Sequence, residues 1–315
     1  MNSENLKNRS LLTWLDYTQD EIRHFLDMSK LVKAQKGEVH RRFTGKTLAL
    51  LFEKNSTRTR CAFETAFGEE GGHPVFLSSQ DIHLGAKESL EDTARVLGRM
   101  FTAIQFRGFK QATAETLAAF SGVPVYNGLT DDFHPTQALA DMLTMEESFG
   151  DVRGKTLVYI GDGRNNVVRS LMVICSKLGC NLTIITPDSL NPEPDLLAKC
   201  KKLAKDTGAK ITVSANTDDI KGADAVYTDV WISMGEESKK DERIKLLKPF
   251  QVNQALMKKT GKKHSIFLHC LPAVKGEEVT QEVIDGPQSR AWDQAENRKH
   301  TIKAIMLLTI NGTVN

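Results

Sequence analysis

Nine short apolar runs, set in two series and mostly spaced by helical patterns, constrain this chain more than any other feature. The first series is TLALLFE (47–53), PVFLSS (74–79), AIQFR (103–107) and PVYNG (124–128). The second is TLVYIGD (156–162), NLTIITP (181–187), ITVSA (211–215), AVYTDV (225–230) and IFLHC (266–270). Between runs lie stretches such as AKESLEDTARVLGRMF (86–101), where Leu90, Ala94, Leu97 and Phe101 recur at the three-to-four spacing of one helix face. Strand–helix alternation in two blocks predicts an α/β fold with two parallel-sheet domains. HPTQALADMLTMEESFG (134–150) reads as a linker helix between the blocks, and AENRKHTIKAIMLLTI as a C-terminal helix with Ile302, Ile305, Met306 and Ile310 near one face. The expected segments are 1–150, a first domain with its linker helix; 151–295, a second domain; and 296–315, a C-terminal helix returning toward the first domain.

In open parallel sheets, ligands bind outside the carboxyl ends of the strands. Polar and unusual residues collect at those ends here. Run 47–53 is followed by STRTR, 74–79 by QDIH and 124–128 by LTDDFHPTQ, while 103–107 ends in Arg107. In the second series, GDGRNN, WISMG and LP follow the first, fourth and fifth strands. Two such edges facing each other make a cleft between domains, and an active site is expected there.

Composition narrows the function classes. Hydrophobic content is 40%, charged content 26% and net charge +2 over 315 residues, so no global charge drives binding to nucleic acid. The five cysteines at 61, 175, 180, 200 and 270 show no Cys-x-x-Cys pair and no Cys/His zinc pattern. Reduced thiols in a cytoplasmic protein, with no metal, are the expectation. MNSENLKNRSLLTWLDYTQDEI is mixed in charge and reads as neither a signal nor a transit peptide. No run approaches the length of a membrane span.

Five constellations carry chemistry. In STRTR, Ser56 or Thr57 can cap a helix, with Arg58 and Arg60 merely solvated. Cations at a helix start are unfavourable, however, and free N–H groups, hydroxyls and guanidinium forks together make a phosphate site. It is not a P-loop, because Gly-x-x-x-x-Gly-Lys is absent. Arg107 ends a strand either as a surface side chain or as a group polarising a carbonyl or holding a phosphate oxygen. FHPTQ (133–137) places His134 before Pro135, a residue suited to a first helical turn, with Gln137 one turn on. YIGDGRNNVVRS (159–170) imitates a dinucleotide fingerprint at Gly161 and Gly163, with Asn166 at the third glycine position and Asp188 at the next strand end. An NAD-type oxidoreductase is the rival reading it motivates. Asp229 in TDVWISMGEE is either a turn residue or a partner for a cationic or amine nitrogen. In HCLP (269–272), strand alternation turns His269 away from Cys270, so a Cys–His nucleophile is not expected. Cys270 is either core or a weak polar partner for substrate, and Leu271–Pro272 is a candidate cis bond.

STRTR, FHPTQ and HCLP, in this order on two α/β domains, resemble the aspartate/ornithine carbamoyltransferase family, nearly end to end. DVWISMG followed by HCLP resembles the ornithine-type acceptor pattern; aspartate-specific members carry Pro-Leu-Pro after the histidine. The resemblance implies a carbamoyl-phosphate-binding first domain and an ornithine-binding second domain. It implies that Ser56, Thr57, Arg58 and Thr59 cradle carbamoyl phosphate, with His134, Pro135, Thr136, Gln137, Cys270, Leu271 and Arg298 as further contacts and Arg107 near both carbonyl and phosphate. His83 falls where members reach across a subunit boundary, which implies a homo-oligomer, a homotrimer or an assembly of trimers. Asn166, Asp229, Ser233 and Met234 match ornithine-binding positions. The implied catalytic set is Arg107, His134, Asp229 and Cys270. The implied reaction is carbamoyl phosphate plus L-ornithine giving L-citrulline and phosphate, in arginine metabolism, by attack of a neutral amine on the carbonyl carbon. No metal or organic cofactor is implied, since phosphate is already a good leaving group. A non-catalytic binding protein on this fold is a third possibility that the intact Arg58, Arg107, His134 and Cys270 argue against.

Overall fold

The computed structural model describes residues 6–78, 88–232 and 237–312. The chain divides into two compact units, Met1–Ala140 with Glu296–Asn315, and Asp141–Ala295.

The first unit opens with α1 (Gln19–Ala34), whose Thr18 and Glu21 form a reciprocal capping box. Then follow β1 (Thr47–Phe52), α2 (Thr57–Gly68), β2 (His73–Ser78), α3 (Leu90–Met100), β3 (Ala103–Arg107), α4 (Gln111–Ser121) and β4 (Val125–Leu129). The strands form a parallel sheet in the order β2-β1-β3-β4. Its inner strands are largely apolar on both faces, Gln105 and Arg107 of β3 excepted, because both faces are covered. Ala49, Leu51, Ile104, Phe106 and Val125 pack with Ala94 and Leu97 of α3 and Ala114 and Leu117 of α4. On the alternate face Tyr126 stacks on Phe63 of α2, their ring centroids 6.1 Å apart. Full burial of Phe63 contributes roughly 1.5–3 kcal/mol.

The helix α5 (Pro135–Phe149) passes from the first unit into the second. The second unit continues with β5 (Thr156–Ile160), α6 (Asn166–Leu178), β6 (Asn181–Ile185), α7 (Pro194–Thr207), β7 (Ile211–Ser214) and β8 (Ala225–Thr228). It ends with α8 (Lys240–Leu247), α9 (Gln254–Lys259), β9 (Ile266–His269) and α10 (Gln281–Ile284). Its five strands are parallel in the order β7-β6-β5-β8-β9. The helix α11 (Ala291–Met306) returns the chain to the first unit and runs into a π-helical segment, Leu307–Asn311.

All nine expected strands are present, with ends shifted by up to two residues. Each sheet reverses its winding at one point: between β1 and β3 in the first, between β5 and β8 in the second. Such a point opens a crevice at the carboxyl ends of its two strands; Ser56 and Arg107 lie at the first, Asn166 and Asp229 at the second. No described helix is long and apolar enough to cross a membrane.

Candidate active site

The crevice of the first unit is built from β1, β3, α5 and α11. After β1, Ser56 takes an extended conformation and its hydroxyl accepts from Thr59 N–H at 3.2 Å, capping α2. That cap contributes about 1 kcal/mol and fixes Thr59 facing inward, fully buried. Thr57 is exposed and Arg58 half-buried in the same turn. Arg60 turns away, bonding Glu64 at 3.0 Å with its guanidinium 3.7 Å from the Phe76 ring centre. Arg60 is thus engaged on the far side of the turn, with Glu64 and Phe76.

Two buried guanidinium groups converge on one hydroxyl. Arg107, at the end of β3, donates from Nη1 to Thr59 Oγ1 at 3.2 Å. Arg298, on α11, donates from Nη2 to the same oxygen at 3.3 Å and to Thr136 Oγ1 at 3.3 Å. Its Nη1 donates to Gln137 Oε1 at 2.8 Å. A hydroxyl has two lone pairs and one proton; with both lone pairs engaged, Thr59 has its proton left to give.

His134 is buried before α5, with Nδ1 3.4 Å from Thr136 Oγ1. Pro135 is the first residue of that helix, and its carbonyl accepts from Trp14 Nε1 at 2.8 Å. Burial holds the His134 imidazole well below its ordinary value, reinforced by the charges of Arg298, Arg107 and Arg58. The neighbourhood is therefore positive, and its imidazole is neutral at physiological pH. Gly128 in β4 makes room for this layer: a Cβ there would lie 3.0 Å from Thr59 Cγ2.

In the second unit, Asn165 follows β5 and Asp229 follows β8. Asn165 caps α6 by accepting from Val168 N–H at 2.9 Å. Its amide donates to Tyr159 Oη at 2.8 Å and to Asp229 Oδ2 at 3.2 Å, bridging the winding reversal. Cys270 Sγ donates to Asp229 Oδ1 at 2.9 Å. Burial raises the Asp229 carboxyl above its usual range, opposed by His269, the Cys270 thiol and the Val230 N–H. Asn166 is the first residue of α6. Leu271 adopts a φ of 60°, uncommon for leucine, before a cis bond to Pro272.

The ligating atoms of Asp229, His269 and Cys270 lie within 4.8 Å of one another. Strand β9 ends at His269, so alternation does not govern Cys270. The imidazole is already committed. Its Nδ1 accepts from Leu271 N–H at 2.8 Å, which puts the proton on Nε2, facing Glu278 Oε1 at 3.1 Å. It therefore offers a cation no lone pair and does not serve the thiol.

The glycine loop after β5 is filled by protein. Gly163 N–H donates to Thr186 Oγ1 at 3.1 Å, and Arg164 N–H to Asp162 Oδ1 at 3.0 Å. A Cβ at Gly163 would meet Leu190 O at 2.7 Å, so this glycine serves loop packing. Two of the backbone donors of this loop are thus spent within the protein.

His83, Ser233 and Met234 lie outside the described residues. Sequence reasoning named Asn166 and passed over Asn165 beside it; the preference of asparagine for a helix cap was the available signal. It also missed Asp162, which Arg243 meets at 2.7 Å and Arg164 at 3.0 Å.

Comparison with known proteins accords with this layout. Residues 9–147 match the family model described as aspartate/ornithine carbamoyltransferase, carbamoyl-P binding domain. Residues 153–309 match the model for the Asp/Orn binding domain of the same family. The chain is 62% identical over 309 residues to an ornithine carbamoyltransferase of Caldanaerobacter subterraneus subsp. tengcongensis, covering 97% of this chain and 99% of the relative. It is 62% identical over 311 residues to one of Thermotoga petrophila, covering 98% and 99%. The solved ornithine carbamoyltransferase of Pyrococcus furiosus superposes with a TM-score of 0.95 at 44% identity, covering 98% of this chain and 99% of that one.

Proposed function

This chain belongs to the aspartate/ornithine carbamoyltransferase family, and we propose that it transfers the carbamoyl group of carbamoyl phosphate to the side-chain amine of L-ornithine, giving L-citrulline and phosphate. The observation that carries this reading is the convergence of Arg107 and Arg298 on the Thr59 hydroxyl, beside a histidine kept neutral by burial and three guanidinium charges.

The reaction builds negative charge in two places, on the carbonyl oxygen and on the departing phosphate. Thr59 donates its hydroxyl proton to the carbonyl oxygen, joined by Arg107 and neutral His134. Arg58, Arg298 and the N–H groups at the start of α2 hold the phosphate; Ser56 and Thr57 complete that cradle, and Thr136 and Gln137 keep Arg298 in place. On the acceptor side, Asp229 takes the amine of ornithine. Its half-buried carboxylate gains more from an N–H partner than a fully exposed one does. Cys270 and Asn165 orient that carboxylate, and Asn166, Ser233 and Met234 complete the amino-acid site, with Cys270 and Leu271 also reaching carbamoyl phosphate. An alkyl amine has a pKa of about 10.4, so attack follows loss of a proton.

The proposal extends to a place in arginine metabolism, to a homotrimer or an assembly of trimers with His83 completing a neighbour's site, and to the cytoplasm. None of the five cysteines is in a disulfide, in keeping with a reducing compartment.

One assay tests the reading: product formation from carbamoyl phosphate with ornithine, putrescine, N-acetylornithine and aspartate at equal concentration. Citrulline from ornithine should dominate. Folded protein that makes none, or that prefers another amine, overturns it.

A further inference from the structure

Gln105 breaks the pattern of its sheet. It lies in the middle of β3, paired in register with Leu50 and Tyr126 and fully buried. Neither its amide nitrogen nor its amide oxygen has a hydrogen-bond partner among the described residues. A carboxamide has two donors and two acceptor lone pairs, and a buried one is nearly always bonded. An apolar side chain would fill this place at lower cost, so the amide calls for a use.

Its position supplies one. Arg107, two residues on and on the same strand face, is the group that bonds Thr59. The gap left by Gly128 is shared: a Cβ there would stand 2.4 Å from Gln105 Nε2 and 3.0 Å from Thr59 Cγ2. The amide therefore lies just beneath the threonine on which both guanidinium groups converge.

Phosphate oxygens are stronger acceptors for a guanidinium than a hydroxyl is. As carbamoyl phosphate draws Arg107 and Arg298 toward itself, the lone pairs of Thr59 are vacated and the hydroxyl loses what aims its proton. We propose that Gln105 is a positioning residue: its Nε2 then donates to Thr59 Oγ1 and keeps the Thr59 proton directed at the carbonyl oxygen. This rests on reading the crevice as the carbamoyl phosphate site.

The test uses the full chain and two substitutions of similar volume without an amide, Gln105→Met and Gln105→Leu. Thermal unfolding should find them at least as stable as the parent, because an unpartnered buried amide is removed. In steady state, kcat/KM for carbamoyl phosphate should fall about 10-fold while KM for ornithine moves less than about twofold. In a Thr59→Val background, Gln105→Met should add no further loss. Parental kinetics in both folded variants overturn the proposal, as does an undiminished 10-fold loss in the Thr59→Val background. A parent chain that makes no citrulline overturns the functional reading instead. The rise in melting temperature on adding inorganic phosphate then still reads Gln105: a smaller rise in Gln105→Met supports the role, and an equal rise overturns it.

Discussion

Arg298 donates to the hydroxyl of Thr59 across 239 positions of chain, and its other nitrogen holds Gln137. One guanidinium thus ties the start of α2 to the start of α5. Thr59, Thr136 and Gln137, all neutral groups, orient it.

The first consequence concerns the Thr59 proton. Thr59→Val keeps the shape and deletes the hydroxyl, and should lower kcat/KM for carbamoyl phosphate by about 100- to 1,000-fold, the scale of one lost oxyanion donor. Thr59→Ser retains the proton and should stay within about 10-fold of the parent. Steady-state kinetics on both variants separate the hydroxyl from the methyl group.

Arg58 is half-buried at the helix start. Arg58→Ala should cut use of carbamoyl phosphate by at least ~100-fold and shift the melting temperature by only about 2 °C. Parallel losses of stability and activity would contradict a ligand-binding role.

Asp229→Asn removes the charge and turns one of the two oxygens that Cys270 and Asn165 address into a donor. Ornithine turnover should fall by about 100-fold or more, while the thermal stabilisation given by carbamoyl phosphate or phosphate alone persists. Loss of that stabilisation would place Asp229 with the wrong ligand.

The pH response follows from His134. Its imidazole is held well below 6.5 in the folded chain, first by burial and then by three arginine charges. The unfolded chain takes up this proton first as pH falls. The contribution of this group to stability is therefore fully present above 6.5 and declines below it, toward the folded value. Proton-detected imidazole shifts should stay at their neutral values from pH 8 to about pH 6. A midpoint near the ordinary histidine value would contradict the buried, positively surrounded site.

Gly128→Ala tests the tight layer beneath Thr59. The added Cβ lies 2.4 Å from Gln105 Nε2, so strand, amide or helix start must move. A loss of about 1–3 kcal/mol is expected, readable by denaturant unfolding, with weakened phosphate binding beside it.

The strands were legible because apolar runs bounded by glycine, proline and polar residues have few other uses. Ser56 and Pro135 announced their helix starts through capping chemistry. Arg298 was not legible from periodicity: an arginine on a late helix carries no mark of which loop it meets. Only the family resemblance pointed to it. The same limit hid Asn165, whose neighbour Asn166 has the same composition but a different place in the turn. Gln105 was visible as one polar letter in AIQFR, yet only its neighbours reveal that the amide is unpartnered. The ties of Lys299 and Lys303 to Glu69, which anchor α11, likewise depend on contacts remote in the chain.

The first unit takes its final piece from Glu296–Asn315, and Asn8 N–H bonds Thr309 O at 2.7 Å within it. On the ribosome, Thr59 and Arg107 emerge well before Arg298 is made. At 5–20 residues per second the wait after Ala140 is roughly 8–30 s. The second unit, continuous in the chain, can complete itself in that interval. The buried arginine pair is consequently among the last features to form, and a stalled or clipped nascent chain would hold half of it.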